Sequence, residues 1–317
     1  MNIDTLREEI GFPDHIRALF RKARMAYCRM KTRRRIVAFL LAFVFIGVSG
    51  VNLGSAQPSS SRRPQRIVSL SPVVTESLYL LGLDKEIVGV TIYCNRPPQV
   101  QSKTKVGSVM EADVEKIVGL KPDLLVAMTL TNKKDIEKLE QLGIKTIVLD
   151  IPRNFSELCE LFLRLGKMTA TEDRAIKIVG EARKTTIEIK ARCEKLPKPK
   201  VLVQIGAKPF FVVAKDSFIN DYIEFAGGTN IFRSAPSGSV SREEVLRRNP
   251  DVIMVSSMGI SGEEERKAWR RFASITAVKQ DRIYIVDPDK LCSPTPVSFT
   301  ESLREIARIL HTRRHYE

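Results

Sequence analysis

Two carboxylates in matched settings are the residues most able to do chemistry in this chain. Glu115 and Glu243 lie 128 residues apart, and each stands seven residues before a Pro-Asp pair, Pro122-Asp123 and Pro250-Asp251. The surrounding stretches, 113–127 and 241–255, run alike: a short amphipathic segment, a turn, then an apolar run. A carboxylate at a helix start is favoured by the positive end of the helix dipole. At equivalent points of two similar units, such carboxylates also offer a matched pair of charges to a partner. Proton transfer needs convergent groups instead, and those are missing. The three histidines, His15, His311 and His315, sit near the chain ends. There is no Gly-rich phosphate loop, His-Glu-x-x-His or nucleophile elbow. Cys94 and Cys292 are the thiols nearest to loop positions of interest, and thiolates could ligate a soft metal or haem iron. With no histidine beside them, packing in a loop is the favoured reading.

The elements that would hold these residues follow from periodicity. Short apolar strands are expected at 66–70, 87–91, 124–128 and 145–149, with helices between them at 71–81, 113–120 and 132–142. Residues 172–196 hold no Pro, and Ile176, Val179, Ala182, Ile187 and Ala191 recur at roughly helical spacing. One helix of about 24 residues, roughly 36 Å long, is expected there. The strand pattern then restarts at 200–205 and continues at 211–213, 252–255 and 283–286, with helices at 217–225, 241–249 and 299–310. The alternation predicts an α/β fold: two similar α/β lobes joined by one long connecting α-helix, with a ligand cleft between the lobes. The expected divisions are a leader over 1–56, an N-terminal lobe over 57–165, a connector over 166–197 and a C-terminal lobe over 198–317. A single helical crossing predicts limited closure rather than wide opening.

The ends and composition set the context. Arg33, Arg34 and Arg35 precede an apolar run over 36–48, and small residues follow to Gly54-Ser55-Ala56. This is the pattern of a secretory signal cut near Ala56, with an uncleaved membrane tether as the alternative. Met30-Lys31 would make an ordinary start for such a signal. Basic residues outnumber acidic ones 52 to 37; export argues against nucleic acid as the reason, and a solvated basic surface is expected. Of five cysteines, none forms a Cys-x-x-Cys pair, so no structural zinc site is expected. Cys159 and Cys193 fall on separate helices, which makes a disulfide between them geometrically hard.

Four stretches carry a resemblance: Ile67-Val-Ser-Leu-Ser-Pro with Thr75-Glu76; Tyr93-Cys94-Asn95-Arg96-Pro97-Pro98 through Val106-Gly107; Phe210 to Ala214 with Gly227-Gly228-Thr229-Asn230-Ile231-Phe232; and Val240-Ser241-Arg242-Glu243. In this order and spacing the chain resembles, over about 64–312, the helical-backbone periplasmic binding proteins of ABC importers for cobalamin, haem and iron-siderophores. It lies nearest the cobalamin branch. The resemblance implies a monomeric exported receptor with no cofactor of its own. It would pass a small metal-chelate ligand, a corrinoid first among them, to a permease dimer with its ATPase subunits. It assigns docking on the permease to Glu115 and Glu243. Ligand contacts are expected in the strand-end loops: Ser71, Pro72, Tyr93, Cys94, Gly107, Ser108, Val109 and Met128 in lobe one, and Phe210, Ser257 and Asp289 in lobe two. Tyr93 could lie against a flat macrocycle. The chain departs from the cobalamin pattern in having a single tryptophan, Trp269, placed outside the expected cleft. Haem, a ferric siderophore, a membrane-tethered scavenger or sensor, and a chelatase-like enzyme are the alternatives.

Overall fold

The computed structural model describes residues 63–256 and 262–311; the expected leader and signal, Ser257 and His315 lie outside these. Lobe one is a five-stranded sheet of β1 (Ile67–Ser69), β2 (Ile87–Val90), β3 (Thr104–Lys105), β4 (Leu124–Met128) and β5 (Thr146–Leu149). Its order is β3-β2-β1-β4-β5 and every pairing is parallel. The helices α1 (Pro72–Leu80), α2 (Val114–Gly119) and α3 (Lys133–Gln141) alternate with the strands. Parallel pairing of this kind needs both faces covered, and β4 is accordingly buried at every position.

Two helices follow, α4 (Phe155–Met168) and α5 (Glu172–Cys193). The first was not foreseen as an element, and it runs past the 165/166 division expected from sequence. The second is the long connector. Its buried face is Ala175, Val179, Ala182, Thr186, Ile189 and Cys193, a spacing of alternating four and three residues. Of the stripe expected from sequence, Val179 and Ala182 lie on this face, whereas Ile176, Ile187 and Ala191 are exposed. Small residues at 175, 182 and 186 let neighbouring helices approach closely, which outweighs the larger apolar area of the isoleucines.

Lobe two contains β6 (Lys200–Ala207), β7 (Phe210–Val212), β8 (Thr229–Asn230), β9 (Val252–Val255) and β10 (Ile283–Ile285). The order is β10-β9-β6-β7, with β8 also on β6. All pairings are parallel except the β6–β7 hairpin. Its helices are α6 (Ile219–Phe225), α7 (Arg242–Arg248), α8 (Gly262–Arg270), α9 (Thr276–Lys279), α10 (Pro288–Cys292) and α11 (Pro296–Leu310).

The sequence repeat has a concrete structural meaning. Asp123 and Asp251 each open a strand and lock it to its neighbour. The Asp123 carboxylate accepts from the backbone N–H of Gln65 (2.7 Å) and of Arg66 (3.0 Å). The Asp251 carboxylate accepts from the N–H of Lys200 at 2.7 Å. In return the N–H groups of Asp123 and Asp251 donate to the carbonyls of Arg66 and Lys200, at 2.9 and 2.8 Å. Just before each proline, Lys121 (φ 47) and Asn249 (φ 48) take the left-handed conformation that ends the helix.

One apolar core runs through both lobes. It joins Ile67, Leu78 and Val126 of lobe one to Val201, Val252 and Met254 of lobe two by way of α4, α5 and α11. At its centre the fully buried Phe299 ring lies 4.5 Å from Phe155 and stacks on Tyr222 at 4.1 Å. Aromatic pairs add stabilisation beyond their buried area. Phe299→Ala is expected to cost about 3–5 kcal/mol. Urea denaturation of the two proteins side by side measures it, and a loss below about 1 kcal/mol would contradict this packing.

Candidate functional site

In open parallel sheets ligands lie beyond the carboxyl ends of the strands, where the strand order reverses. In lobe one that reversal falls at β1 and β4, so the loops after β1, β2, β4 and β5 define the candidate wall. These loops present apolar side chains to solvent: Ile92, Tyr93, Leu130 and Ile151 are all exposed. With them stands Met110, 65% exposed at the tip of the loop before α2. Apolar groups gathered at one end of a sheet mark a binding surface more than a stability device.

The Met110 loop shows why these positions are where they are. Gly107 has φ +103, and a Cβ there would meet the Glu111 carbonyl at 2.5 Å. Only glycine fits this turn. The Ser108 N–H donates to the Glu111 carbonyl at 2.8 Å, while the Ser108 hydroxyl accepts from the N–H of Met110 and Glu111. Thr131 then donates to the Val109 carbonyl at 2.9 Å, and Asn132 N–H to that of Met110 at 2.8 Å. Gly107, Ser108 and Val109 therefore build the loop, and Met110 is what the loop displays.

The other expected contacts separate in the same way. Tyr93 is half exposed at the end of β2. Ser71 is buried, and Met128 is buried at the end of β4, two residues before the exposed Leu130. Cys94 is fully buried, with its sulfur 3.2 Å from the hydroxyls of Thr75 and of Thr91. Thr75 donates onward to Ser69 at 2.8 Å. This chain of buried polar contacts pins the Tyr93 loop to β1 and α1 from below, so the thiol serves the wall from inside. In lobe two Cys292 is half-buried, and burial pushes its thiol pKa up. Neither cysteine presents its sulfur openly for a metal, and no cluster of metal-ligating side chains occurs among the described residues.

Lobe two faces the cleft with the β6–β7 turn and the start of α10. The Phe210 ring is occupied, 5.9 Å from Trp269 and 4.8 Å from the Arg242 guanidinium. Trp269 is fully buried, and its indole N–H donates to Gln204 at 2.7 Å, so the one tryptophan is an internal strut. Glu265 closes this cluster by accepting from Gln204 and from Arg242, each at 2.7 Å. Burial would raise the Glu265 pKa, but those hydrogen bonds outweigh it and hold the carboxyl below its ordinary range. Asp289 lies at the mouth, beside Asn95 of lobe one.

An interlobe recess of about 810 Å³ lies at the β5–α4 end. It is bounded by Thr129, Ile151 and Arg164 on one side and by Asp216 and Phe218 on the other. Thr129, next to the expected contact Met128 at the end of β4, lines it, whereas Tyr93, Cys94, Gly107, Ser108, Val109, Phe210 and Asp289 do not. Its lining carries the carboxylates Asp150, Glu157, Glu160 and Asp216 together with the guanidinium groups of Arg153 and Arg164. The N–H and guanidinium of Arg153 hold Glu157 below the ordinary carboxylate range. The Asp150–Arg153 stretch was missed because nothing marks it locally except its place after a strand.

Glu115 and Glu243 occupy the same helical position. Asp113 caps α2 by accepting from Lys116 N–H, and Ser241 caps α7 by accepting from Glu244 N–H. Each glutamate stands two residues after its cap and is exposed. They are matched in local geometry and form no salt bridge among the described residues, whereas the neighbouring Glu244 pairs with Arg247 and Arg248.

A two-lobed α/β receptor with strand ends turned to an interlobe cleft defines a class of ligand-binding proteins, and comparison with known proteins names it. Residues 67–290 match the family model described as periplasmic binding protein, and the chain belongs to that family. A vitamin B12-binding protein of Vibrio cholerae is 29% identical over 264 residues, spanning 82% of this chain and 93% of that one. The crystal structure of the periplasmic vitamin B12 binding protein of Vibrio cholerae superposes with a TM-score of 0.67 at 27% identity, covering 78% and 96% of the two chains. A possible iron-binding periplasmic solute-binding protein from Staphylococcus epidermidis gives 0.71 at 29% identity, covering 79% and 100%. The family's members are binding proteins rather than enzymes.

The thiols test the inward reading of the cysteines. Burial lifts Cys159 to about 11 despite the nearby Arg183, and raises Cys193 as well. At pH 8, Cys159 then holds about a hundredfold less thiolate than an unperturbed thiol. In the protein from residue 57, the disulfide reagent DTNB should react with all four cysteines only after unfolding. A burst of one full equivalent from the native protein would show an accessible thiol and reverse the placement of Cys94 or Cys292.

Proposed function

We propose that this protein is the exported ligand-capturing component of an ABC importer and that its ligand is a corrinoid held between the lobes. The observation that carries the reading is the ring of exposed apolar side chains at the strand ends of lobe one, facing a second lobe across a cleft. A flat macrocycle with an apolar face and a polar periphery suits such a wall: Tyr93, Met110, Leu130 and Ile151 would cover the face. The β5–α4 end sets Asp150, Glu157, Glu160 and Asp216 against Arg153 and Arg164, and this excess of carboxylate suits neutral, hydrogen-bonding substituents better than carboxylates. That favours an amide-decorated corrinoid over haem with its propionates. The second reading, haem or a ferric siderophore, draws on the absence of tryptophan from the cleft.

Capture implies release to a membrane partner. Glu115 and Glu243 are proposed as the docking carboxylates, one per lobe, each meeting a cationic residue on one half of a permease dimer. Exposed ion pairs of this kind contribute orientation and encounter rate more than affinity. Among the described residues no helix is long and apolar enough to cross a membrane. Export rests on the basic and apolar pattern before Ala56, and action as a monomer completes the reading. Nothing in it calls for catalysis or a resident cofactor.

Calorimetric titration of residues 57–317 with cobalamin, with haem as control, tests the ligand. Submicromolar cobalamin binding with weak haem binding is expected; the reverse order would move haem to the front. The docking claim is tested separately. Glu115→Lys with Glu243→Lys should abolish stimulation of the cognate transporter's ATPase while ligand affinity stays within about twofold. Stimulation that survives the double reversal would remove these residues from the docking role.

A further inference from the structure

Arg96 joins the two lobes at the side of the cleft opposite the α4 recess. It belongs to the loop after β2, in lobe one. Its Nη2 donates to two carbonyls of lobe two, Asp289 at 2.7 Å and Ser293 at 2.9 Å. The same nitrogen lies 2.9 Å from the Glu76 carboxylate on α1. Asn95 beside it adds a contact from its side-chain amide to the Asp289 carboxylate at 3.4 Å. Both partners of the ion pair are largely shielded from water, with side-chain exposures of 22% for Arg96 and 15% for Glu76. Burial pushes the Glu76 carboxyl upward, and the Arg96 charge opposes it. Glu76 also faces the Ser298 hydroxyl at the start of α11, which itself closes the capping box with Thr295. One guanidinium and one carboxylate of lobe one thus engage the α10–α11 junction of lobe two.

The position matters for binding. Tyr93, the half-exposed residue at the end of β2, is three residues before Arg96 on the same loop, and Asp289 is at the mouth of the cleft. The lobe-two acceptors are main-chain carbonyls at the two ends of the short α10, that of Asp289 in its first turn and that of Ser293 just after its last residue. We propose that Arg96 is a positioning residue that sets the spacing of the cleft walls by riveting the Tyr93 loop to the α10–α11 junction, and so governs ligand release. The effect on release rests on the corrinoid reading; the rivet itself does not.

Amide hydrogen exchange on the ligand-free full chain tests the rivet without any ligand. Arg96→Ala alone would leave the Glu76 carboxylate without its buried partner, so the informative variant is Arg96→Ala combined with Glu76→Gln. Exchange in 93–98 and in 288–293 should rise together by about tenfold or more, the loss expected for a charge-assisted bond, with α4 unchanged. Arg96→Lys, which keeps the cation without the planar fork, should restore part of the protection. Asp289→Ala is the control: Arg96 binds the main chain there, so protection should persist. Cobalamin dissociation followed by stopped flow should be about tenfold faster in the double variant, with association nearly unchanged. Unchanged exchange in both segments, or a uniform rise over the whole chain, would overturn the proposal. If cobalamin does not bind the unaltered protein, the corrinoid reading fails while the exchange result still decides the rivet.

Discussion

The packing of Phe299 between Phe155 and Tyr222 is the constraint on which the arrangement of the lobes depends. It places an aromatic from α11 against one from α4 and one from α6, and it sits in a core that both sheets share. Two lobes with separate cores and a strand hinge could swing apart at little cost. Lobes that share a close-packed interior cannot, because interiors resist deformation. The hydrogen bond from Phe155 N–H to the Asp221 carboxylate at 2.6 Å reinforces the same junction. The cleft is therefore largely formed before any ligand arrives, and recognition rests on what the strand-end loops display.

Display in turn depends on what lies beneath. Cys94, Thr75, Thr91 and Ser69 form a buried polar chain under the Tyr93 loop, and Gly107 with Ser108 folds the loop that carries Met110. A buried hydroxyl or thiol must find partners, and here those partners set the loop's course. Residues that look like ligand contacts by their position in a motif thus divide into a supporting layer and a displayed layer. Ser71, Cys94, Ser108 and Met128 support; Tyr93 and Met110 are displayed.

This division explains how much of the molecule was legible from sequence. The sheets, the connector and the paired lobes were, because alternating apolar strands and a Pro-Asp repeat are local signals, and Asp123 and Asp251 prove to be the strand locks behind that repeat. The phase of α5 was legible only at Val179 and Ala182. Ile176 and Ile187 have the apolar character of a core stripe, but close helix packing selects the face of Ala175, Ala182 and Thr186, a choice made by neighbours distant in sequence. Phe155, Leu158, Phe162 and Leu165 do carry a helical signal for α4, but it is short and lies beside the longer pattern of α5 that follows. Arg96 could not be assigned at all, since its acceptors are main-chain carbonyls nearly 200 residues away, and a carbonyl leaves no mark in a sequence.

The absence of tryptophan from the cleft bears on specificity more than on the class of ligand. Aromatic walls add stacking energy to apolar burial, whereas Met110, Leu130 and Ile151 supply burial alone. Burial is non-directional and accommodates a family of related macrocycles. Discrimination among them must then come from polar groups at fixed positions, because only a group built to pair with a ligand substituent rejects one that lacks it. The candidates lie at the two ends of the cleft: Asn95 and Asp289 beside Arg96, and the carboxylates Asp150 and Asp216 in the α4 recess. On the proposed corrinoid reading, a chain that holds its walls rigidly and concentrates polarity at the ends would measure the length and periphery of a flat ligand, while its largely aliphatic face would tolerate variation in the plane between.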